Sequence, residues 1–213
     1  MGFSQQTITA SITHGGLQRD YILYVPANYT GSTSVPLLFN FHGYTSDATA
    51  QMYYGDFRAI ADTAGFIIVH PQGKLDNSNN THFNVWGTTS IDDLGFSSAL
   101  IDSLLLDYNI DESRIYSTGM SNGGYMSFHL ACNLSDRIAA IGSVTGSIVP
   151  QTIANCNATH PTPIIQIHGT ADGTVNYNGT AFASESIPSL LNYWSGYNNC
   201  DAVAITTSIP NTS

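Results

Sequence analysis

Apolar and polar residues alternate in two opening segments, residues 7–12 and 19–25, separated by His14-Gly15-Gly16. This pattern predicts an antiparallel hairpin turned on glycine. Next, Val35-Pro36-Leu37-Leu38-Phe39-Asn40-Phe41 is nearly continuous in apolar residues and ends at His42-Gly43, the pattern of a strand buried on both faces of a mostly parallel sheet. Residues 48–64 predict a helix, and after Gly65 the run 66–69 predicts a short strand. The alternation then continues: helix 90–108, strand 114–118, a helix from Asn122, strand 139–144, the apolar run 163–167, helix 184–197 and a last apolar stretch, 202–209, expected as a late strand. Strand and helix taking turns without repeats, charge blocks or domain-sized linkers predict one α/β domain with helices on both faces of its sheet. The Asn- and Thr-rich residues 76–89 read as a long loop over the active face.

Composition narrows the function classes. Fifteen acids against five bases give a formal net charge of −10, which leaves nucleic acid and anionic membranes poor partners. No stretch approaches the roughly 18 consecutive apolar residues of a spanning helix. The opening MGFSQQTITA has neither the basic nor the apolar region of a signal peptide. Only 9% of residues are charged, so Ser, Thr, Asn and Gly carry the surface polarity, a profile that suits an extracellular protein. Of the three cysteines, Cys132 and Cys156 can pair if their Cα atoms lie within about 7 Å; the alternative is three reduced thiols packed as small apolar residues. No metal-ligand spacing and no phosphate loop occur, so no cofactor is expected.

The chemistry concentrates at Gly119-Met120-Ser121-Asn122-Gly123. Gly-x-Ser-x-Gly alone is weak evidence in a chain this rich in glycine and serine. Here, however, a predicted strand runs into it and a helix follows, the setting of a nucleophile elbow. The flanking glycines suit a turn too tight for Cβ atoms. Ser121 is therefore the expected nucleophile. The backbone N–H groups of Asn122 and of Tyr44, in Phe41-His42-Gly43-Tyr44, are the expected oxyanion donors. Asp172, in a loop a few residues after the run 163–167, is the expected triad acid, with Asp201 its rival. Trp86 is a candidate platform for a sugar or phenolic ring, whereas Trp194 at helical spacing from Leu190 and Leu191 reads as core. Adjacent Asp92 and Asp93 read as helix capping or loop anchoring rather than as an acid pair.

His42-Gly43, Ile91-Asp92-Asp93-Leu94-Gly95-Phe96, Gly119 to Met126 and His168-Gly169-Thr170-Ala171-Asp172 together resemble the polyhydroxybutyrate depolymerase and feruloyl esterase family of secreted α/β-hydrolase esterases. The resemblance implies the α/β-hydrolase fold, Ser121 and Asp172 in the triad, and extracellular action on polymer-borne esters. It also implies a triad histidine after the acid and a partner for Cys200 further along. All seven histidines precede Asp172. The sequence therefore reads as a catalytic domain lacking its C-terminal part, or else as a catalytically incomplete remnant or binding protein. His129, about 12 Å along its helix from Ser121 at 1.5 Å per residue, is out of reach as a substitute base. His42 and His168 read as structural.

Overall fold

The computed structural model describes residues 5–208. Strands β1 (Gln6–His14) and β2 (Leu17–Val25) form the expected hairpin, with φ of 58° at Gly15 and 75° at Gly16 in its two-residue turn. Both angles are left-handed and cost glycine little. The sheet continues through β3 (Val35–Phe41), β4 (Ile67–Pro71), β7 (Ile110–Met120), β8 (Ala140–Val144) and β9 (Ile164–Ile167), in the order β1-β2-β4-β3-β7-β8-β9. From β4 to β9 every pairing is parallel. Short strands β5 (Lys74–Leu75) and β6 (Thr81–His82) form a separate two-stranded ribbon.

Helices cover both faces. On one side, α3 (Asp93–Asp107), α4 (Asn122–Asn133), α5 (Pro150–Ala154) and α6 (Ile187–Tyr197) close over a core that includes Leu23, Leu37, Phe39, Phe41, Val69, Phe128 and Trp194. Trp194 packs edge-on against Tyr193 and Tyr197, in the core as expected. On the other side, α1 (Ala48–Tyr54) packs on Ile22, and Ala61 of α2 (Arg58–Ala64) packs on Tyr24 and Ile68. The odd and even positions of β2 and β4 thus serve different cores, so these strands are apolar on both faces.

Four expectations need correction. The helix expected over 48–64 is broken in two, because the Asp56 side chain accepts the Arg58 N–H at 3.0 Å and starts a new helix. The loop 76–89 is shorter than expected, since β5 and β6 bracket a turn in which Asp76 Oδ1 accepts N–H groups from Ser78 and Asn80. The helix α5 was not anticipated. Residues 202–208 of the expected last strand form none, and Ile205 is 95% exposed; Ile209 lies outside the described residues. Apolar composition alone does not make a strand without a neighbour to hydrogen-bond.

Cys132, at the end of α4, and Cys156, just after α5, form a disulfide with Cα atoms 4.6 Å apart, well inside the distance required for pairing. Cys200 is free and exposed. No helix among the described residues is long and apolar enough to cross a membrane.

Candidate active site

The parallel register sets the site. Phe41 lies opposite Gly119, Met120 opposite Val144, and Val144 opposite Ile167. The C-terminal ends of β3, β7 and β9 therefore emerge at one edge, where open α/β sheets bind ligands. The predicted residues Tyr44, Ser121 and Asp172 all follow these ends, so sequence-distant segments converge.

Ser121 sits between β7 and α4 with φ 53° and ψ −118°, a left-handed conformation that costs a non-glycine residue energy and is over-represented at functional sites. The two motif glycines are sterically required. A Cβ on Gly119 would lie 2.5 Å from the Gly123 carbonyl, and one on Gly123 would lie 2.2 Å from the Phe41 carbonyl oxygen. The Ser121 N–H donates to Val144 O at 2.9 Å. Asn122 is the first residue of α4, so its N–H belongs to the helix-terminal group that has no intrahelical acceptor. Gly43 lies against the elbow: its Cβ position is 3.6 Å from Ser121 Cβ. Tyr44 follows directly.

Tyr44, Trp86, Ser121, Asn122 and Tyr125 line a cavity of about 390 Å³, closed on its other side by Thr174, Val175, Thr180, Ala183 and Ser184. The Trp86 indole N–H donates to Ala183 O at 2.9 Å, and its ring lies 5.0 Å from that of Tyr125. The Tyr44 hydroxyl donates to Asp76 at 2.6 Å, which helps hold that carboxyl below its usual pKa. Two further contacts fasten the segment carrying Trp86. The buried Asn122 side chain accepts from Phe83 N–H at 2.7 Å and donates to Phe83 O at 2.9 Å. Buried Asp93 accepts the Asn84 N–H at 2.7 Å and pairs with Arg19, whose guanidinium lies 3.9 Å from the Phe96 ring centroid. Asp92 caps α3 through the Gly95 N–H. Capping and loop anchoring, the expected roles of this acid pair, are what the two residues do.

Asp172 lies five residues beyond β9. Its Oδ1 accepts the N–H groups of Thr174 and Val175, both at 2.9 Å, and these bonds hold its pKa below the ordinary carboxylate value. Asp201 is at the opposite edge: three residues before it, Asn198 is bonded to Thr162, which precedes β9.

None of the seven histidines, all within the described residues, is hydrogen-bonded to Ser121. His42 is buried, with Nδ1 on Gly43 O at 2.7 Å and Nε2 accepting Gly73 N–H at 3.0 Å; burial lowers its pKa. His168 places Nε2 on Val175 O at 2.7 Å and Nδ1 by Gln166, with Asp172 Oδ2 3.8 Å away. His129 bonds Asn133 within α4. His42 and His168 are thus engaged by the backbone where they sit, whereas His129 Nε2 has no described partner.

The sequence did not reveal Tyr125 as a cavity wall, the segment 174–184 or the anchoring by Arg19. The only signal for Arg19 was a cation in an otherwise apolar alternation, and its partner is 74 residues away.

A strained serine elbow at the carboxyl edge of a mostly parallel sheet defines the α/β-hydrolase class, and residues 33–204 match the phospholipase/carboxylesterase family. The chain belongs to that family. It is similar to a bifunctional acetylxylan esterase/xylanase of Neocallimastix patriciarum, 32% identical over 76% of this chain and 22% of that protein. It is also similar to feruloyl esterase B of Piromyces equi, 29% identical over 76% of this chain and 30% of that protein. The chain thus spans under a third of the length of these two relatives. Among solved structures, an S-formylglutathione hydrolase from Agrobacterium tumefaciens superposes with a TM-score of 0.70 at 14% identity, covering 93% of this chain and 85% of that one, a likeness of fold.

Proposed function

We propose that this chain is the esterase core of a secreted carboxylic-ester hydrolase acting through an acyl-enzyme on Ser121. The observation that carries the reading is Ser121 in a left-handed elbow, facing the Gly43-Tyr44 turn and opening into the cavity. In the proposed reaction the Ser121 hydroxyl oxygen attacks the ester carbonyl carbon as its proton passes to a base. The backbone N–H groups of Asn122 and Tyr44 stabilise the oxyanion, contributing several kcal/mol at the transition state. Collapse breaks the bond to the alcohol, which leaves with the proton. Water then repeats the sequence on the acyl-serine, releasing the acid and restoring Ser121. Asp172 would orient and stabilise a charged imidazole. The names of the two relatives favour acetyl or feruloyl esters of plant polysaccharide. Polyhydroxyalkanoates rest only on the sequence resemblance. The Cys132–Cys156 disulfide accords with an oxidising compartment.

The imidazole is proposed to come from a further segment of the natural protein, because none of the seven histidines is hydrogen-bonded to Ser121. The same observation favours a second reading, a fold that binds esters without turnover. In the natural full-length protein, Ser121→Ala is expected to lower hydrolysis of p-nitrophenyl butyrate by at least about 10³-fold. Equal rates would defeat the ester-hydrolase reading. No turnover by the full-length wild type would favour the second.

A further inference from the structure

Trp86 has a second exposed side. Besides the cavity at Ser121, it borders an adjoining cleft of about 320 Å³ formed with the outer part of α4 and with α5. The two spaces differ in chemistry. The first is walled mainly by aromatic rings, Val175 and Ala183, whereas the second sets His129, Asn133, Gln151, Thr152 and Asn155 beside Val85 and Val149 and contains no Lys, Arg, Asp or Glu among the described residues. The side chains of Gln151, Thr152 and Asn155 make no hydrogen bond to other described residues, and none of their polar atoms is sealed from solvent without a partner. His129 and Asn133 bond each other at 3.4 Å through Nδ1 and Nδ2, leaving His129 Nε2 and Asn133 Oδ1 without a described partner. Burial lowers the His129 pKa, which keeps its ring neutral near pH 7.

Unspent amides, a hydroxyl and a neutral imidazole beside an indole form a surface that can both donate and accept. Such a surface suits a neutral, hydroxyl-rich ring stacked on the indole and suits an ionic or purely apolar group poorly. Trp86 is held in place by its bond to Ala183 and its contact with Tyr125, and α4 and α5, which supply the polar wall, are tied at their ends by the Cys132–Cys156 disulfide.

We propose that this second cleft binds a glycosyl unit of the alcohol part of the ester, with Trp86 as the shared wall between acyl and sugar positions. The proposal rests on the ester-hydrolase reading for its orientation, but the cleft's ligand can be tested without turnover.

Isothermal titration of xylotriose into the full-length Ser121→Ala protein should show saturable binding. Combining it with Gln151→Ala and Asn155→Ala should weaken that binding at least about fivefold. In the protein with Ser121 intact, the same pair of changes should lower by about fivefold to tenfold the ratio of kcat/KM for an acetylated methyl xyloside to that for ethyl acetate. No binding of xylotriose, or binding and ratio both unmoved by the two substitutions, would overturn the proposal. If xylotriose binds and responds to the substitutions while neither ester is turned over, the subsite stands and the ester-hydrolase reading fails.

Discussion

One face of the sheet is built in two unlike halves. Over β2 and β4, helices α1 and α2 bury Ile22, Tyr24 and Ile68. Over β8 and β9 the same face carries Ala140, Gly142, Val144, Ile165 and Ile167 around an open concavity of about 360 Å³, with Ile165 66% and Ile167 58% exposed. The side chains alternate alike in both halves and are apolar in both. Among the described residues, only the first has a roof. Apolar sequence therefore marks a face that can be buried, while its contribution to stability depends on what packs against it.

The largest effect should follow from emptying the roofed half. Ile68→Ala, at a fully buried position, is expected to cost about 2–5 kcal/mol in urea unfolding, by lost transfer energy and a residual cavity. A cost below about 1 kcal/mol would show that α2 collapses onto the gap and that the halves are less different than their burial implies.

The second effect is the acid sensitivity contributed by a buried histidine of the roofed half. His70 on β4 is fully buried, neither ring nitrogen has a side-chain partner among the described residues, and burial first, then Arg58, pushes its pKa down to about 4 from the usual 6.5. The folded state holds this ring neutral while the unfolded chain takes up a proton. Stability from this group is thus complete above about pH 6.5, falls as pH drops towards 4, and has then lost about 3 kcal/mol. His42 adds a loss of the same sign. In urea midpoints measured from pH 7 to pH 4, the wild type should fall more steeply than His70→Leu, because the variant lacks the group that must be charged. Parallel pH profiles would remove His70 as a source of the acid loss.

The smallest effect belongs to the open half. Ile165→Ser should change unfolding free energy by about 0.5 kcal/mol or less, as exposed substitutions do, and should reduce any self-association seen by sedimentation, since an apolar patch facing water is what it removes. A loss approaching that of Ile68→Ala would mean that the open face is covered in solution.

Much of the site was legible along the chain because each clue was local. Gly119 and Gly123 announce a turn that excludes Cβ atoms, His42-Gly43 ends a buried strand, and Asp172 follows another; each is a relation between neighbours. The break at Asp56 was missed because a side chain competing for a backbone N–H overrides a run of helix formers. The run 202–208 reads as a strand yet forms none, because hydropathy carries no information about pairing partners.

Sequence alone determined the alternation of strand and helix, the elbow's residue types and the net acidic charge. Tertiary structure alone decided that Tyr44, Ser121 and the segment 174–184 share one cavity, that Arg19 meets Asp93, and that Trp86 borders two spaces of different lining. The physical reason is range. Periodicity, capping and turn chemistry act over a few residues and leave a readable pattern, whereas cavities and buried ion pairs form between segments tens of residues apart, whose meeting is fixed by sheet order and register.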